Sequence, residues 1–419
     1  MGDSVNQVFE GVRMFLARQS KKMTLRELAG ITGISYSYLN RIEKHQIKPT
    51  QDMIKTITKT LDLSFVSRPD TDKTFREEQF PSLYNFNMYG EYEQARSLYQ
   101  TLKENESYFI NSPVFLQYYL IMATTIVHTR TDYERMDAFQ KTCELLIDYM
   151  SDFERELTFV NRIVHNILKG RMRAVKEETT TLLQTMKDEH LRARIHYISG
   201  MLKANDYRYY NEALTHYDKA KSIFETYMNY DRLNRTETMQ QIIYLYQYQF
   251  ETFEKSLEKT RNYAQTHARV NLFHLTKINE ARYMILREKY SECATILDEF
   301  YMAEGSYYFY KIYAYFKVGR NMEALEILSS MKHHQNAFIS HMESVGLDTI
   351  AYLLTHEENE TEALKPLRRF CNTAHENYDF LMIQLATELL TGRLIKQRRY
   401  KEAHAYAQKF LRVLYTMVR

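Results

Sequence analysis

Apolar residues recur every three to four positions along most of the chain, the spacing of one face of an α-helix. Residues 5–19 place Val5, Val8, Phe9, Val12, Phe15 and Leu16 on such a face, which predicts a first helix with Arg13 and Arg18 elsewhere on its surface. Thr24 and Glu27 stand three apart, as in a capping box, and open a short helix through Leu25, Leu28 and Ala29. Gly33 supplies the stop, where a left-handed backbone is easy for glycine. Ser35 caps the next helix, YSYLNRIEK, and Pro49 and Thr50 open a fourth that carries Met53, Ile54, Ile57 and Leu61. The period lapses over residues 64–82, which hold two of the five prolines, and this predicts a linker. It then resumes to residue 419, with no proline between Pro113 and Pro366.

Within residues 83–419 a small motif repeats, an aromatic or polar residue followed by alanine. It appears as YEQARSLY (92–99), YNEALTHYDKAKSIF (210–224), YSECATIL (290–297), NMEALEIL (321–328), ETEALKPL (360–367) and YKEAHAYAQKFL (400–411). Each copy follows another helical stretch and a short break, so the unit is helix, turn, helix. The small residue lets the paired helix approach closely. About eight or nine such hairpins are expected. Stacked units of this kind coil into a superhelix with an extended concave face. An ordinary helical bundle is the competing reading.

Composition narrows the class. Average usage would give about 29 Gly and 21 Pro in a chain of this length, against the 11 and 5 present. That scarcity argues for few tight turns and against sandwiches, barrels and doubly wound sheets. The expected fold is all-α. The 44% apolar content is ample for a core. No 18-residue apolar run predicts a membrane span, and the first 20 residues lack the order of a signal peptide, so a cytoplasmic protein is expected. Cys143, Cys293 and Cys371 are too scattered for a disulfide framework or a zinc site. The formal charge of +3 hides an asymmetry: residues 1–63 hold 10 Lys and Arg against 6 Asp and Glu, and the rest is nearly neutral. A small basic module on a neutral body is a common layout for a nucleic-acid binder.

The stretch TLRELAGITGISYSYLNRIEKHQIKPT closely resembles the Cro/repressor (Xre-type) helix-turn-helix family. The match rests on Leu28-Ala29, the turn Gly33-Ile34-Ser35, the core pair Leu39 and Ile42, Glu43, and Pro49-Thr50. The family usually has glycine just after the recognition helix, where this chain has His45 or Gln46. The resemblance implies that YSYLNRIEK enters the major groove. Tyr36 and Ser37 would then meet base edges, with Asn40 and Arg41 one turn later; Arg suits guanine and Asn adenine. Lys44, His45 and Lys48 are placed for phosphates. Arg18 is expected to pair with Glu43 and be oriented toward the DNA backbone. The expected DNA-contacting set is Arg18, Thr24, Ser35, Tyr36, Ser37, Asn40, Arg41, Lys44 and Lys48.

The repeats resemble degenerate tetratricopeptide repeats, which implies a right-handed superhelix. The combination resembles the RRNPP family of peptide-responsive quorum-sensing regulators. That resemblance implies a homodimeric transcription factor on a palindromic operator, controlled by a short signalling peptide bound in the array. The expected domains are a DNA-binding module at 1–63, a linker at 64–82, and a peptide-binding and dimerisation array at 83–419. Periodicity offers Asn161, His165, Tyr244, Tyr248, Asn271, His274, Asn279 and Arg282 as inward-facing peptide contacts. The 35 tyrosines are expected mostly in helix packing. No HExxH, GxSxG, phosphate loop or GxGxxG occurs, so no enzyme, cofactor or metal site is expected; the trio His333, His334 and His341 is a weak metal candidate. The alternative function is a protein-interaction scaffold or a Rap-like inhibitor of a phosphorelay protein.

Overall fold

The computed structural model describes residues 2–44, 46–302, 305–331, 340–356 and 362–418, with side chains from residue 11 onward except those of Arg173 and Val418. The expected places of His45, His333 and His334, and of the side chains of Val5, Val8 and Phe9, lie outside the described residues. The first four helices are α1 (Gly2–Ser20), α2 (Leu25–Thr32), α3 (Tyr36–Glu43) and α4 (Gln51–Leu61). Thr24 closes the capping box on α2: its hydroxyl accepts from Glu27 N at 3.2 Å, and Glu27 accepts from Thr24 N at 2.7 Å. Gly33 is left-handed, with φ 70°, and its N–H bonds Ala29 O. Ser35 and Thr50 cap α3 and α4 through Tyr38 N and Met53 N. The four helices close on Met14, Leu28, Leu39, Ile42, Ile57 and Leu61. Arg13 and Arg18, expected on the surface, are instead 9% and 7% exposed. They lie on different sides of α1: Asn111 and Phe115 cover Arg13, and Glu43 of α3 covers Arg18.

Residues 64–82, expected as a linker, lack regular structure only through Arg68. Pro69–Thr74 is helical, and a π-helical turn follows at Phe75–Gln79. The Tyr108 hydroxyl anchors this stretch, accepting from Arg68 N at 2.9 Å and donating to Asp72 at 2.7 Å. Beyond it the described residues form nine helical hairpins. They are Phe80–Met88 with Tyr92–Glu104, Phe115–Thr129 with Met136–Leu145, and Asp152–Leu168 with Met172–Thr185. Next come Glu189–Ala204 with Tyr210–Thr226, Tyr230–Tyr246 with Phe250–Thr266, and Val270–Leu286 with Tyr290–Asp298. The last are Gly305–Val318 with Asn321–Met331, His341–Thr355 with Leu364–Glu376, and Phe380–Lys396 with Tyr400–Val418. The chain divides into two compact units, residues 1–192 and 193–419.

The scarcity of glycine does not mean few tight turns. Met228, Tyr248, Ala268 and Glu288, twenty positions apart, all hold φ between 51° and 58°. Each lies between two helices, and the next residue's N–H reaches back five residues to bond the carbonyls of Phe224, Tyr244, Ala264 and Met284. This is the Schellman closure, built here without its usual glycine. Non-glycine residues pay about 1 kcal/mol for that backbone, and the packed helices on either side enforce it.

The second unit has a continuous core that takes up much of the tyrosine. Helix Gly305–Val318 is covered almost all round: Tyr307, Tyr308, Phe309, Tyr310, Ile312, Tyr313 and Tyr315 are all buried. Its near-continuous apolar sequence suits a helix with no solvent face. The start and the end of this unit's chain meet. Tyr207 N donates to Tyr378 O at 3.3 Å, Arg208 lies 3.4 Å over the Tyr378 ring, and Tyr246 packs on Phe380.

Candidate nucleic-acid interface

Three caps and one glycine turn present α3 to solvent. Its buried side is Leu39, Ile42 and Glu43; its open side holds Tyr36 (51% exposed), Ser37 and Arg41. Asn40 is half-buried on the flank. Thr24, Ser35, Lys44 and Lys48 are exposed. The arrangement offers a hydroxyl, an amide and a guanidinium on adjacent turns of one short helix, with lysines beyond its C-terminus. Those groups can bond base edges and phosphates.

Arg18 makes the expected pair with Glu43, but the pair is enclosed. Its Nε and Nη2 donate to the two Glu43 oxygens, each at 2.8 Å, and its Nη1 donates to Met23 O at 2.8 Å. The pair is nearly closed to solvent. Arg18 therefore locks α1, the turn before α2 and the end of α3, and does not stand in the outward-facing set.

Two contacts escaped sequence reasoning. Tyr149 Oη donates to Glu43 O at 3.2 Å, tying the C-terminal end of α3 to the second hairpin of the array. Arg13 Nη2 donates to Asn111 Oδ1 at 2.6 Å. The partners lie 106 and 98 positions apart, beyond the reach of any local signal.

The proposed inward-facing residues separate into two groups. Asn161 (1% exposed) donates to Thr124 Oγ1, and His165 (4%) bonds Tyr133 Oη and Asp137. Asn279 (2%) donates to Thr238 O and to Gln241, while Arg282 bonds Tyr310 Oη and Asn279. In this structure Asn161, His165 and Asn279 are enclosed and Arg282 half-buried, and all four bond neighbouring residues rather than standing open. Helical period marks a covered face and an open groove alike. Tyr248 and Asn271 are exposed, and Tyr244 and His274 half-buried. His274 stacks on Phe300, and burial lowers its pKa.

The second unit also holds a cleft of about 670 Å³ lined by Phe316, Leu353, Leu389, Arg393 and Lys396. Its carboxylate, Glu388, is held by Lys317 and Tyr290 Oη. Gly392 lies inside helix Phe380–Lys396, with nothing within 4 Å of where a Cβ would stand. Mid-helix glycine costs about 1 kcal/mol against alanine.

The geometry defines a helix-turn-helix protein carrying a helical repeat array. Residues 16–67 match the helix-turn-helix family model. Among curated proteins none matches the chain in sequence. Two solved structures share the fold. A Rap protein, solved in complex with competence and sporulation factor, aligns with a TM-score of 0.62 at 13% identity, over 81% of this chain and 98% of that one. The apo form of the quorum sensor NprR from B. thuringiensis aligns with a TM-score of 0.52 at 12% identity, over 82% and 99%.

Proposed function

We propose that this chain is a sequence-specific DNA-binding transcriptional regulator whose repeat array, residues 83–419, binds a short signalling peptide. The observation that carries the reading is the open face of α3. Tyr36, Ser37, Asn40 and Arg41 project from a helix that is fixed from behind by Arg18–Glu43 and by Tyr149. Support for the peptide comes from the shared fold, since that Rap structure holds competence and sporulation factor and NprR is described as a quorum sensor. The cleft at Gly392 is the proposed seat of the peptide, with Arg393 and Lys396 suited to an acidic side chain or a terminal carboxylate. A homodimer on a palindromic operator completes the reading, because two-fold symmetry places the two modules on two half-sites.

Deleting residues 1–63 tests it against the scaffold alternative. A regulator then loses operator binding and promoter control but keeps its peptide. A scaffold or phosphorelay inhibitor keeps its full activity on its protein partner.

A further inference from the structure

We infer that a cleft between the helix-turn-helix module and the second array hairpin binds a small organic anion, a carboxylate or phosphate on an apolar body, through Arg13. The cleft belongs wholly to the first unit and encloses about 600 Å³, within the range of small-molecule sites. Its walls come from α1, the end of α4 and helices Phe115–Thr129 and Met136–Leu145.

Arg13 is the reason to expect an anion. It is 9% exposed, yet its one polar partner is the neutral amide of Asn111, at 2.6 Å. Its guanidinium also lies 5.6 Å from the Phe115 ring centroid, and its Nε has no acceptor. Among the described residues no carboxylate pairs with it. Arg18, one turn and a half along the same helix, has a bidentate carboxylate instead. A buried cation without a counter-charge is costly to keep, and burial lowers the Arg13 pKa. Lys21 and Lys141 add positive charge to the rim, against the single carboxylate of Asp62. Leu16, Tyr119 and Leu145 give the walls their apolar part, with Leu145 42% exposed. Arg13 lines the cleft, a planar guanidinium matches the fork of a carboxylate or phosphate, and the apolar walls match what the anion is attached to.

The inference stands apart from the peptide-responsive reading, which uses the second unit and the outer face of α3. The test is calorimetric titration of the full chain with octanoate and, separately, with inorganic phosphate. Saturable octanoate binding is expected, weakened about tenfold or more in Arg13→Met, the loss of a charge-assisted bond. The thermal midpoint of unliganded Arg13→Met should hold or rise, because methionine removes an uncompensated charge. Lys141→Met, on the exposed rim, should weaken octanoate without altering folding, which covers the case in which Arg13→Met fails to fold. Phosphate binding that depends on Arg13, with no octanoate binding, assigns the site to phosphates. Binding of neither probe, or equal affinity in wild type, Arg13→Met and Lys141→Met, overturns the inference.

Discussion

At the residue scale, the buried pair Arg18–Glu43 sets the position of α3. Removing one partner leaves a charge in a site closed to water. Glu43→Ala should therefore cost about 3 kcal/mol, read as a lower denaturation midpoint, and should loosen α3 against α1. An unchanged midpoint would mean the pair is not holding the module. A second residue supplies a pH response. Burial and the nearby Lys409 depress the His375 pKa to about 4, against an ordinary 6.5. The unfolded chain thus takes up a proton near pH 6.5, and the folded chain only near 4. The His375 contribution is complete above 6.5 and lost as pH falls from 6.5 to 4. His375→Gln should flatten that part of the stability–pH curve, measured by chemical denaturation at several pH values.

At the element scale, the array depends on turns and close approaches that its sequence advertises unequally. Ala268 is exposed and left-handed, with φ 51°. Ala268→Gly should stabilise the chain by up to about 1 kcal/mol, because glycine accepts that backbone without penalty. Gly200 gives the opposite case. A Cβ there would stand 2.5 Å from the Tyr217 ring, so Gly200→Ala should cost about 1–3 kcal/mol by overpacking. Thermal or denaturant unfolding of the two variants reads both signs. This contrast shows what the sequence made legible. The starts of α2, α3 and α4 were readable because Thr24, Ser35 and Thr50 cap through bonds three residues away. Helix existence across the array was readable from period alone. The turns at Met228, Tyr248 and Glu288 were not, since these side chains carry no turn preference and tertiary packing imposes the conformation. Arg13 and Arg18 looked like surface cations for the same kind of reason: the elements that cover them lie far along the chain. Asn161, His165 and Asn279 have inward spacing, but only the packing reveals that inward means enclosed.

At the scale of the whole molecule, the proposed function assigns DNA recognition to the first unit and peptide binding to the second. If the cleft at Gly392 is that seat, Gly392→Phe should fill it without disturbing the helix backbone and should weaken the cognate peptide about tenfold or more, while leaving operator affinity in the absence of peptide unchanged. Titration of the peptide into the variant reads the effect, and wild-type affinity would place the seat elsewhere. The DNA claim is the more central one. Selection of bound sequences from a randomised duplex library, with the intact chain and with Arg41→Ala in parallel, tests it most directly. The account predicts a two-fold symmetric motif enriched by the intact chain, with affinity falling steeply as salt rises, and loss of preference at the Arg41-contacted position in the variant. No enriched motif, or the same motif from Arg41→Ala, would contradict it.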